Sequence, residues 1–237
     1  MKVRGPVVTI DGPAGVGKST VGRRVAIELH VPFIDTGIFY RALAVAASRR
    51  GIAAGDGAAL AELASRLDLK ANTDPLAGPD AWQALVDGGP LGAELWDPRH
   101  AALLAGAAGQ PQVRAALLHF QREPAREGGL LVGRDTGTVV FPDADCRVYL
   151  DAPAEVRVAR RRRELEGRGQ QALDHELRAE MEARDRTDLS RNHGPLAVPA
   201  DALEIQTAHL SAEQVVERIL AECHRLRLRS VPGRRRP

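Results

Sequence analysis

The stretch GPAGVGKS, Gly12 to Ser19, has the residue types and spacing of a phosphate cradle, G-x-x-x-x-G-K-S. Gly12, Gly15 and Gly17 permit backbone angles that turn successive N–H groups toward one point. It lies between an apolar run and a helical pattern, so the helix N-terminus adds partial positive charge. Lys18 is placed to reach β- and γ-phosphates, and the Ser19 hydroxyl to ligate Mg²⁺. The chemistry implied is use of ATP or GTP with magnesium. The loop alone does not say what receives the phosphate.

Charged residues elsewhere bear on the acceptor. In RDRTDLSR, residues 184–191, Arg184, Asp188 and Arg191 fall at i, i+4 and i+7, on one side of a helix. That side faces either water or a ligand, while Asp185 and Arg186 read as a solvated face. Gly133-Arg134-Asp135 ends an aliphatic run, where opposite charges are costly unless they pair with each other or hold a ligand. Arg41 lies about a helical turn beyond the Thr36-Gly37 turn, and Arg114 begins another helical pattern. In VRVARRRREL, Glu164 and Glu166 can relieve Arg160 and Arg162 at i, i+4. Arg157 and Arg161 have no such downstream partner, so an anion is expected to balance them, as in an arginine segment closing over ATP.

These residues need a scaffold. Five short apolar runs read as buried strands: Val7–Ile10, Val31–Ile34, Leu130–Val132, Cys146–Leu150 and Ala202–Ile205. Helical patterns separate them, the first from Lys18 to about His30 with Val21, Val25 and Leu29 on one face. Such alternation predicts an α/β fold, a parallel sheet with helices on both faces and ligands at the carboxyl ends of the strands. Those ends lead into DGPAGVGKST, DTG, GRD and LDA. Residues 71–99 differ, with Pro75, Pro79, Pro90 and Pro98 and an Asp87-Gly88-Gly89 turn signal, and read as an inserted small antiparallel sheet or a long loop.

Composition narrows the class. The net charge of +2 and 3% aromatic content do not suit a polynucleotide binder. Cys146 and Cys223 are too few for a disulfide framework and lack metal-ligand spacing. With no signal-like N-terminus and no membrane-length apolar run, a soluble cytoplasmic protein is expected.

The ordered set TIDGPAGVGKST, DTGIFYRALA, PQVRAALLHFQR, GRDTGTVVFPDA, YLDAPAEVRVARR and ARDRTDLSRNHGPLAVPADA resembles the bacterial cytidylate kinases, from about residue 7 to 222. The resemblance implies a five-stranded parallel P-loop kinase core, an NMP-binding lobe carrying the small inserted sheet, and a short arginine-rich lid. The implied boundaries are core 1–40, NMP-binding lobe 41–125, core 126–155, lid 156–170, core 171–229 and a flexible basic tail 230–237. It implies a monomer that uses ATP, Mg²⁺ and CMP or dCMP, without nucleic acid. Gly12, Pro13, Ala14, Gly15, Val16, Gly17, Lys18, Ser19 and Thr20 would wrap the ATP phosphates. Arg41, Arg134 and Arg191 would grip the acceptor phosphate, and Arg184 and Asp188 would hold ribose hydroxyls. Arg114 and Asp135 would read the cytosine edge beside Thr36, and Arg157 and Arg161 would belong to the lid. One departure touches the base: Ala105 stands nine residues before Arg114, where the family has a serine. Broader UMP/CMP use, a shikimate- or gluconate-type kinase, and an NTPase with a basic RNA-binding tail are the alternatives.

Overall fold

A computed structural model describes residues 5–78, 81, 83–167, 169 and 172–229. The expected tail, 230–237, lies outside them, as do Arg168 and Gln170 of the expected lid and Pro79 and Trp82 of the expected insert. In chain order, β1 (Val7–Asp11) precedes α1 (Lys18–Leu29), and β2 (Phe33–Asp35) precedes α2 (Gly37–Arg49) and α3 (Gly57–Arg66). Three short strands follow, β3 (Leu69–Ala71), β4 (Ala84–Val86) and β5 (Gly89–Leu91), then α4 (Ala101–Gly109) and α5 (Pro111–Arg122). The chain continues through β6 (Gly129–Gly133), β7 (Cys146–Asp151), α6 (Ala154–Glu166), α7 (Asp174–Leu189), β8 (Leu203–Gln206) and α8 (Ala212–Arg229).

The expected five-stranded parallel sheet is present, in the order β2-β6-β1-β7-β8. β1 pairs parallel with β7, Asp11 opposite Tyr149, and β7 pairs parallel with β8. Every residue of β1 is buried, as a central strand covered on both faces requires. Because β6 and β7 flank β1 on opposite sides, the order reverses at β1, and the loop after Asp11 sits at the switch point. The second strand runs over Phe33–Asp35 rather than Val31–Ile34, with Val31 buried before it.

By compactness the chain forms two units, one of Val31–Gly129 with Gly5, the other of Pro6–His30 with Leu130 onward. In the first, α2 is buried along Ala42–Ala47, where small side chains let neighbouring elements approach closely. Its antiparallel sheet has the order β3-β4-β5. Asp87 (φ 50°) and Gly88 (φ 78°) are both left-handed, as the tight β4–β5 hairpin requires. In the second unit α6 and α7 pack through Val158, Leu177 and Met181.

Candidate active site

The phosphate loop is shaped by close approach. A Cβ on Gly12 (φ 146°) would lie 2.1 Å from the Leu150 carbonyl oxygen, so no larger residue fits. Gly17 caps α1 from the left-handed region (φ 95°), which only glycine enters freely. Pro13 and Val16 are buried, Ala14 half-buried, and Gly15, Ser19 and Thr20 exposed. Lys18 is buried, and its ammonium donates to the carbonyls of Gly12 (2.7 Å) and Pro13 (2.6 Å). Beneath the loop, Asp11 is wholly buried and accepts from the Thr136 N–H (2.8 Å), the Thr136 hydroxyl (2.7 Å) and the Gly137 N–H (2.7 Å). Burial pushes its carboxyl up, and the three hydrogen bonds oppose that. Asp11 thereby ties the end of β1 to the turn that follows Asp135.

The arginine segment departs from expectation. Arg157 is not left for an anion: its guanidinium pairs with Asp185 and donates to the carbonyls of Ala14 (3.2 Å) and Ala152 (3.1 Å). Asp185 also accepts the Ala14 N–H (3.4 Å), so it is no solvated residue but part of a latch on the phosphate loop. Arg161 pairs with Glu164 at i, i+3 (2.9 Å), a partner that reading at i, i+4 alone passes over. Arg160 turns instead to Thr207, donating to its hydroxyl (2.8 Å) and carbonyl (2.7 Å), and to the Val16 carbonyl (3.3 Å). Arg162 does pair with Glu166, and Arg186 is exposed. The overlooked signal for Asp185 is its place three residues before Asp188 on the same helix.

Arg184, Asp188 and Arg191 do not form a uniform helix face. Arg184 is exposed, Asp188 is 2% exposed, and Arg191 lies beyond the last residue of α7. Asp188 is nevertheless the centre of a cluster. Its Oδ2 accepts from Arg134 Nε (2.8 Å), its Oδ1 pairs with Arg191, and its carbonyl accepts the Leu196 N–H (2.8 Å). The Arg134 and Arg191 side chains are 15% and 13% exposed, so water screens the three charges weakly. Arg134 therefore does not form its ion pair with neighbouring Asp135, which is buried and accepts the Val139 and Val140 N–H groups at its carbonyl. Two positive charges around one carboxylate leave a net positive cluster suited to a phosphate.

The first unit places the remaining residues separately. Thr36 is buried before α2, and the neighbouring Asp35 carboxylate accepts the Gly37 N–H (3.0 Å). Arg41, on α2, donates to the Leu95 carbonyl (3.2 Å), and its guanidinium carbon lies 4.2 Å from the centroid of the Trp96 ring. Arg114, on α5, donates to the Ala108 carbonyl (3.3 Å) and lies 5.7 Å from the Tyr40 ring centroid. Ala105 is exposed on α4 and offers no hydroxyl there.

The donor set fits Mg²⁺. Ser19 sits exposed in the first turn of α1, and Mg²⁺ takes few protein ligands beside phosphate oxygens and water. Among the described residues no group of three or more His, Cys, Asp and Glu side chains forms an alternative metal cage. Among them, too, no helix is long and apolar enough to cross a membrane.

A family profile described as cytidylate kinase matches residues 8–225. A curated cytidylate kinase from Methylococcus capsulatus is 45% identical over 213 residues, 90% of this chain and 94% of that one. A bifunctional pantoate ligase/cytidylate kinase from Synechococcus is 40% identical over 98% of this chain, which spans only 43% of that longer protein. Among solved structures, an uncharacterized protein from Eubacterium ventriosum superposes with a TM-score of 0.50 at 12% identity, covering 94% of this chain and 99% of its own, a likeness of fold alone.

Proposed function

The chain belongs to the cytidylate kinase family, and from that premise we propose that it transfers the γ-phosphoryl group of ATP to CMP or dCMP. A CMP phosphate oxygen forms a bond to the γ-phosphorus, the bond to the β,γ-bridging oxygen breaks, and CDP and ADP leave. The attacking oxygen already carries charge, so no general base is needed. The family match does not favour a small-metabolite kinase.

Residues 12–20 hold the triphosphate. The Lys18 ammonium exchanges its loop carbonyls for phosphate oxygens, a short movement for a flexible side chain. Ser19 would hold Mg²⁺, which when bound would supply charge neutralisation to the phosphate groups. Arg157 and Arg161 belong to the donor side, with Arg157 latched to the loop through Asp185. Arg41, Arg134 and Arg191 carry the acceptor-phosphate role that the family resemblance implies. Arg184 holds a ribose hydroxyl, and Arg114 and Asp135 read the base beside Thr36. Asp188 changes emphasis: with both oxygens engaged by guanidinia, its first task is to aim Arg134 and Arg191, and it retains lone pairs for a ribose hydroxyl.

The single supporting observation is the Arg134–Asp188–Arg191 cluster, two largely buried cations on one buried carboxylate in a chain of this family. The test is ADP release from ATP and Mg²⁺ with CMP, dCMP, UMP, AMP, GMP and shikimate. Preference for CMP and dCMP is expected. Equal use of UMP would mark a broader pyrimidine kinase, and activity with shikimate alone would overturn the reading.

A further inference from the structure

Aromatic residues are scarce: the chain has two tryptophans and two tyrosines. One tryptophan, Trp96, is 40% exposed yet has its ring tied to neighbouring groups. Its indole N–H donates to the Gln83 side-chain oxygen (2.9 Å). Gln83 is itself fixed by the small sheet, donating its N–H to the Leu91 carbonyl (3.1 Å) and accepting the Asn72 N–H (2.9 Å). The segment Ala93–Trp96 is also tied to α2, where Arg49 Nε donates to Glu94 (3.2 Å) and Arg41 to the Leu95 carbonyl. The ring is thus fixed at its N–H edge and through the backbone beside it. Its face carries the Arg41 guanidinium at 4.2 Å.

We propose that Trp96 is a positioning residue for acceptor binding, holding the Arg41 guanidinium in the orientation that receives the acceptor phosphate. The inference rests on the reading that Arg41 is a phosphate-binding arginine. Its physical basis is the geometry of stacking. A guanidinium has five N–H donors, all in its plane. An aromatic face attracts the cation through its ring quadrupole and so restrains where the guanidinium sits. The Leu95 carbonyl and the Trp96 ring together hold the Arg41 guanidinium at two points. The inserted sheet thereby acquires a task, because through Gln83 it sets the ring on which that arginine rests. Trp96→Phe keeps the stacking face and loses only the Gln83 bond; Trp96→Ala removes both.

The experiment is steady-state kinetics on the full chain with CMP and ATP varied separately, for wild type, Trp96→Ala, Trp96→Phe, Arg41→Ala and the double variant Trp96→Ala/Arg41→Ala. Trp96→Ala is expected to raise KM for CMP on the order of fivefold, with KM for ATP unchanged. Trp96→Phe should recover most of that loss, and the double variant should be no worse than Arg41→Ala. An unchanged KM for CMP in Trp96→Ala, or a rise shared equally with ATP, overturns the proposal. If Arg41→Ala itself leaves KM for CMP unchanged, the assignment of Arg41 has failed instead. A second readout separates the two without turnover. In a Trp82→Phe background Trp96 is the one tryptophan, and CMP should shift its emission, an effect that Arg41→Ala abolishes. A shift that survives Arg41→Ala overturns the coupling.

Discussion

Arginines are positioned in two different ways in the two units. In the second, Arg134, Arg191 and Arg157 rest on the buried or half-buried carboxylates of Asp188 and Asp185. In the first, Arg41 and Arg114 lie over the rings of Trp96 and Tyr40 and donate to backbone carbonyls. A carboxylate fixes a guanidinium strongly but occupies donors and offsets charge. A ring attracts it more weakly and from its face. The carboxylate clusters also link functions along one helix. Asp185 and Asp188, three residues apart on α7, hold the phosphate loop and the Arg134–Arg191 cluster respectively. Removing a support in the second unit should therefore damage folding and activity together, while in the first it should change acceptor binding alone.

The largest effect is expected from Asp188→Ala, which leaves two largely buried guanidinia without their shared carboxylate. Stability should fall by about 3 kcal/mol in denaturant unfolding. Turnover per KM for CMP should fall on the order of 100-fold. An Asp188→Ala protein as stable as wild type would erase the contrast. Next comes the latch: Arg157→Ala and Asp185→Ala should each raise KM for ATP on the order of tenfold while KM for CMP holds. Their double-mutant cycle should give a coupling of about 1.5 kcal/mol, and additive effects would deny the pair.

Smaller effects sharpen the comparison. Arg41→Lys replaces a flat, stackable cation by a point charge, and KM for CMP should rise about threefold. Stability should not change, in contrast to Arg134→Lys, which should lose both. The smallest effect concerns Asp97, beside Trp96. Its carboxyl is pulled down to about 2, chiefly by the hydrogen bond from the Arg99 side chain. A lowered folded-state value means this contribution is present above the ordinary 3.8 and is lost as pH falls through about 2. Carbon-detected titration should find that midpoint, and Arg99→Ala should move it back up. An unmoved midpoint would deny the pair.

Much was legible in the chain because it is local. The cradle from Gly12 to Ser19 is a pattern of backbone freedoms and one helix start, all written within eight consecutive positions. The strand Val7–Asp11 is buried at every position and Cys146–Asp151 alternates buried with half-buried residues, two patterns that leave little choice of element. The Asp87-Gly88 hairpin follows from two left-handed positions. Partners across the chain were not legible. Counting four residues ahead of Arg157 finds no acid, yet Asp185 lies 28 residues on, brought near by packing of α6 on α7. The spacing of Asp188 and Arg191 suggested one helix face, but the helix ends at Leu189, and Asp188 is buried by its contacts with Arg134 and Arg191.

The sequence by itself determined the phosphate loop, the alternating α/β order and the family, because these depend on residue type at short, fixed spacing. Only the tertiary structure decided which charge meets which. A guanidinium reaches several ångströms from its backbone, so its partner depends on which elements the core brings alongside. That is why Asp185 passed from the surface to the phosphate loop, and why a tryptophan with no motif around it came to lie beneath Arg41.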